Sequence, residues 1–163
     1  MAAINNLVTA PADRVLLLTR TFDAPRGVVF KTWTEPKHVM RWWGPHGFEV
    51  ISCEMDVRAG GTWRIHMRGP TGHEDRQYLV YREIVEPERI VFSYAFEDAM
   101  GEPGHETLVT VTFEEFGDKT KLTLHQAIFE TAAVRDAHVS GWSDALDHFA
   151  EYLKKVSASE PLH

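Results

Sequence analysis

Apolar positions recur at two different spacings along this chain, and the change of spacing divides it into elements. The run Val15 to Leu18 with Phe22 ends before Pro25 and predicts a strand over 14–23. Asp23 is placed to cap a following helix, with Pro25 in its first turn and Val29, Phe30 and Trp33 on its buried side. Thr34 and Pro36 restart a second short helix carrying Val39, Met40 and Trp43 inward, which Gly44-Pro45 ends. From Phe48 the period is two. Phe48 to Val57 predicts a strand, and the chain turns at Ala59-Gly60-Gly61. Trp63, Ile65 and Met67 then alternate with Arg64, His66 and Arg68, giving one apolar and one polar face. Residues 77–85 form the next strand, with apolar residues in both registers, so its inward face stays open. Ile90, Phe92, Tyr94 and Phe96 share a face, as do Val109, Val111 and Phe113, and then Leu122 and Leu124. Short turns between consecutive strands predict an antiparallel meander.

The last element has a different rhythm. Val134, His138, Gly141, Trp142, Ala145, Leu146, Phe149, Leu153 and Val156 fall at spacings of three and four, with charged residues between them. This predicts a long amphipathic helix over 131–156. The architecture is β-α-α-β6-α, of the α+β class. Its one-sided sheet must be covered, and only the long helix is large enough to do so. A curved sheet under a straight helix leaves volume for a small-molecule pocket. One domain over 13–157 is expected, with a flexible leader at 1–12 and a tail at 158–163.

Charge narrows the classes of partner. The formal net charge is −7 and no basic stripe interrupts it, which argues against nucleic acid and anionic membranes. No apolar run approaches a membrane span, and residues 1–12 lack a signal-peptide pattern. Cys53 is the single cysteine, so no intrachain disulfide can form. A cytoplasmic protein is expected.

The candidate chemistry is sparse. Trp63, Met67, Phe92, Tyr94 and Phe96 on the sheet, with His138, Trp142, Leu146 and Phe149 on the helix, either pack as core or line the pocket. Tyr94 and Trp142 are the better pocket candidates, because a buried donor needs a partner. Trp43 and Phe48, flanking Gly44-Pro45-His46-Gly47, would form the pocket mouth. Gly141 suggests close approach of helix and sheet, or room for a ligand. His138 could orient a polar ligand group or move a proton, and Arg82 is the alternative ionisable group. His66 and His125 fall on the polar sides of their strands. His73-Glu74-Asp75 lies at a solvated turn, and Asp144 with His148 forms a surface pair. No HExxH, GxSxG or phosphate-binding glycine loop occurs. Cys53 is expected as a small buried hydrophobe. Neither a metal, a cofactor nor a catalytic residue is expected.

Five stretches carry a family resemblance. They are Asp23-Ala24-Pro25 with Val29-Phe30, Trp42-Trp43-Gly44-Pro45, Gly60-Gly61-Thr62-Trp63-Arg64 through Met67, Glu86 to Phe92, and His138 with Gly141-Trp142 and Leu146. In this order they resemble the START-like (SRPBCC, Bet v 1-like) superfamily, in the branch of the C-terminal domain of the Hsp90 ATPase activator Aha1, over residues 14–156. The resemblance implies the helix-grip fold. It implies a cavity ligand, since members bind lipids, hormones and polyketides, and some catalyse cyclisation or dehydration. The leading expectation is a noncatalytic module for an apolar or aromatic small molecule, and the second a cyclase, dehydratase or hydrolase. The third is a module related to Hsp90 regulation, although this chain has no room for Aha1's separate Hsp90-binding domain. A homodimer through an exposed aromatic face is a further expectation.

Overall fold

A computed structural model of the chain describes residues 11–159. The expected leader and tail lie almost wholly outside them. A short 3-10 turn at Ala12–Arg14, absent from the sequence reading, leads into β1 (Leu16–Phe22). Two short helices follow, α1 (Arg26–Thr34) and α2 (Pro36–Trp42). Six strands come next: β2 (Glu49–Met55), β3 (Thr62–Arg68), β4 (Glu74–Val85), β5 (Arg89–Phe96), β6 (Thr107–Phe116) and β7 (Lys119–Ala127). The long helix α3 (Ala132–Ser159) closes the chain. This is the α+β, helix-grip order β-α-α-β6-α.

All seven strands form one antiparallel sheet in the order β1-β7-β6-β5-β4-β3-β2. Consecutive strands pair from β2 to β7, as a meander requires. β1 and β2 occupy opposite edges, so α1 and α2 carry the chain from one side of the sheet to the other. A bulge between Tyr81 and Glu83 explains the ambiguous strand. Before it, Gln77, Leu79 and Tyr81 are buried. After it the parity shifts, and Ile84 packs against the core. Both registers are apolar because each is used once.

The core is aromatic. Trp33 sits at its centre, with ring centroids 4.7 Å from Trp42, 6.0 Å from the stacked ring of Trp142, and 6.2 Å from Phe149. All five tryptophans are buried. Two of them come from α1 and α2, so α3 shares the covering of the sheet with the short helices.

Several local expectations are corrected. Pro25, not Asp23, is the N-cap of α1 and makes no side-chain cap bond. The chain is tied there by Thr120, whose hydroxyl donates to Ala24 O at 2.7 Å. Met40 is exposed and Trp42 takes the buried position in α2, its indole N–H held by Thr32 O at 3.0 Å. Thr131 precedes α3 and caps it by accepting from Val134 N at 3.1 Å. Val134 itself is exposed, as is Phe96 at 39%. Among the described residues no helix is long and apolar enough to cross a membrane.

Candidate functional site

Large side chains fill one end of the space under α3, and small ones leave the other end open. Trp142, Leu146 and Phe149 are buried in the aromatic core. Ala137, Gly141 and Ala145, spaced four apart on the same helix, face a cleft of about 160 Å³. Met67, Asp75, Gln77, Tyr94 and Phe96 form its sheet wall, and Trp43, Gly44 and Pro45 its third side. A Cβ built on Gly141 would meet only Pro45 Cγ, at 3.8 Å. The expected close approach of helix and sheet at this glycine is therefore corrected: it leaves room.

A directed string of hydrogen bonds runs through the wall. The Trp43 indole N–H donates to Gln77 Oε1 at 2.8 Å, and Gln77 Nε2 donates to the Tyr94 hydroxyl oxygen at 2.9 Å. His138 Nδ1 lies 2.9 Å from Val134 O, which can only accept, so Nδ1 carries the proton. Nε2 is left with a lone pair, which accepts the Tyr94 O–H at 3.3 Å. A second string fixes the neighbouring ring: the Trp142 indole donates to Gln126 Oε1 at 2.7 Å, and Gln126 Nε2 to Thr107 Oγ1 at 2.8 Å. The polar tips of Trp43, Gln77, Tyr94 and Trp142 are thus satisfied within the protein.

Ionisation follows from burial. The Tyr94 phenol is pushed well above its ordinary value by desolvation, with the Asp75 charge adding to it. Burial holds His138 below the ordinary histidine value, so its neutral form is favoured. Asp75, at the cleft wall, accepts from His73 Nε2 at 2.7 Å. Its neighbour Glu74 begins β4 and bonds His66; His73 and Glu74 are exposed, as expected of a solvated turn, while Asp75 is half-buried.

One rim of the cleft is clamped. His46 N donates to Asp144 Oδ2 at 3.2 Å, and His46 Nε2 lies 3.2 Å from Asp144 Oδ1. His46 Nδ1 meets His148 Nε2 at 2.7 Å. Asp144 and His148, expected to pair with each other, both reach His46. Donor atoms of His46, Asp144 and Asp147 lie within 4.8 Å of one another and are the residues that could hold a cation. Arg20 already meets Asp147 at 2.7 Å. The cluster fastens the Gly44-to-Gly47 segment to α3.

Of the residues singled out in the sequence, Trp43, Met67, Tyr94, Phe96, His138 and Trp142 line the cleft. Trp63, Phe92, Leu146 and Phe149 lie in the core, and Phe48 packs over Gly69. Arg82 does not enter the cleft; it is half exposed beside Glu106, at 3.6 Å, and Ser93. Cys53 is half-buried rather than buried, and burial pushes its thiol up to about 11, far from a ready thiolate. Gln77, Gln126 and Asp75 were missed. Gln126 could have been found, since it continues the inward parity of Leu122 and Leu124. Gln77 lies on the strand whose parity was open, and Asp75 was placed in the turn before it, because β4 begins at Glu74 and not at 77.

The family model described as "Activator of Hsp90 ATPase homolog 1-like protein" matches residues 23–154. Solved structures agree in fold. An AHSA1 protein of Silicibacter pomeroyi is 22% identical at a TM-score of 0.78, covering 86% of this chain and 97% of its own. A protein of Arthrobacter aurescens is 24% identical at 0.78, covering 93% and 94%. One from Chromobacterium violaceum is 26% identical at 0.75, covering 85% and 96%. No curated protein matches.

Proposed function

The chain belongs to the activator of Hsp90 ATPase homolog 1-like family, and from that premise we propose that it binds a small apolar or aromatic molecule in the cleft between α3 and the sheet. One observation carries the reading. The cleft is walled by Trp43, Met67, Phe96 and Trp142, while the polar groups among them are already paired with one another. Such a wall offers apolar area without asking the ligand to satisfy buried donors. The free thiol of Cys53 suits a reducing compartment, and we place the protein in the cytoplasm.

Trp43 and Trp142 report directly on occupancy. Titration with single-ring compounds is expected to change tryptophan emission saturably, and the change is expected to weaken in Gly141→Ala. An emission response to no compound in a broad single-ring set would sink the reading. A second reading, proton-transfer catalysis on a bound ligand, is favoured by the Tyr94–His138 hydrogen bond at the wall. Turnover of a bound ligand that is lost in both Tyr94→Phe and His138→Gln, with binding retained, would select it.

A further inference from the structure

The charge pattern of the cleft goes further than its apolarity, and it deepens the binding reading just given, on which it rests. Among the described residues no lysine or arginine lines the cleft, and the one carboxylate there is Asp75. Asp75 stands on the inward parity of β4, paired in register with Met67, and its charge reaches Tyr94 inside. His73 takes one of its oxygens, Oδ1, leaving Oδ2 as an acceptor. The remaining polar groups point the same way. The Tyr94 O–H is donated to His138, so the phenol offers a ligand only a lone pair. Neutral His138 has its Nδ1–H on Val134 and its Nε2 on Tyr94. The Trp43 and Trp142 N–H groups are committed to glutamines. The cleft therefore presents acceptors and aromatic surface, with few free donors.

We infer that the ligand is an organic cation, an ammonium group carried on a single aromatic or similarly sized apolar body. The ammonium would meet Asp75, and the aromatic walls, Trp43, Tyr94, Phe96 and Trp142, favour a cation further through their π-electrons. An anionic ligand would face the Asp75 charge with no lysine or arginine among the described lining residues to attract it. Size limits the body. A cavity of about 150 Å³ accepts one benzene ring, and this cleft is about 160 Å³.

The test uses four probes of one shape: benzylammonium, benzyl alcohol, toluene and benzoate, titrated at pH 7 by tryptophan emission and by NMR shifts of the indole N–H groups. Benzylammonium is expected to bind about tenfold more tightly than benzyl alcohol, a modest factor because Asp75 is partly exposed. Benzoate is expected to bind weakest. Asp75→Asn is expected to cut the cation preference from about tenfold to about threefold or less, the part the aromatic walls supply, and Asp75→Glu to retain the full preference. Toluene and benzyl alcohol binding as well as benzylammonium, or benzoate binding best, overturns the inference and leaves the cleft a binding site. A preference that stays at about tenfold in Asp75→Asn overturns the assignment to Asp75. Binding of none of the four overturns both readings.

Discussion

At the scale of single residues, the cleft depends on two side chains that sequence spacing treats very differently. His138 lies on the helix line that faces the sheet, and burial depresses its pKa. Its stabilising contribution is therefore complete above its unfolded value, about 6.5, and is lost as pH falls through the lower folded value. Protonation also removes the lone pair that accepts Tyr94 O–H. The NMR titration midpoint of His138 is expected below 6.5, and the stability gap between the wild type and His138→Gln should shrink on acidification. A midpoint at or above 6.5 would refute the burial argument. Gln77 holds two buried groups at once, accepting from Trp43 and donating to Tyr94. Gln77→Leu leaves the Trp43 N–H buried without an acceptor, a loss of about 1–3 kcal/mol in urea unfolding. A loss under about 0.5 kcal/mol would mean that water or a shifted side chain takes over the amide's role.

Among the elements, α3 shows how one sequence pattern encodes two tasks. Its large residues Trp142, Leu146 and Phe149 fill the core, and its small residues Ala137, Gly141 and Ala145 keep the cleft open. Gly141→Ala tests the division. The added methyl meets only Pro45 Cγ at 3.8 Å, so the helix gains up to about 1 kcal/mol. That corresponds to a rise of about 2–4 °C in Tm for a chain of this size, accompanied by weaker ligand binding because the methyl enters the cleft. A fall in Tm would show that the glycine serves close packing after all. The 3.6 and 2.0 periods made the helix and most strands legible, because burial on one face is what imposes them. The inward register of β4 was not legible, because the bulge after Tyr81 reverses parity within one strand. The His46 clamp was not legible either, since its partners lie about a hundred residues away and no local pattern marks that contact. Met40 is exposed because the buried line of α2 runs through His38, Val39 and Trp42, at spacings of three and four, with Trp43 just past the helix end.

For the whole molecule, the question is what leaves only a small cleft beneath the long helix. The sheet alone does not decide this; the tryptophans do. Trp33 and Trp42 enter from the short helices, Trp63 from β3 and Trp142 from α3, and together with Phe113 and Phe149 they occupy the space beneath the long helix. What remains is the end bounded by Tyr94, Phe96 and His138. Occupancy of that end should therefore depend steeply on ligand size. In the series benzyl alcohol, naphthylmethanol and anthracenylmethanol, apolar area rises steadily, and burial alone would make each larger member bind more tightly by about 25 cal/mol per Å². A fixed cleft of about 160 Å³ reverses that order, because a larger ring must either stay outside or displace close-packed aromatic side chains, typically at a cost of about 1–3 kcal/mol. Affinity measured by tryptophan emission is expected to peak at one ring. Affinity that keeps climbing to three rings would mean that α3 moves off the sheet to admit ligand, and that the aromatic core is less rigid than its packing implies.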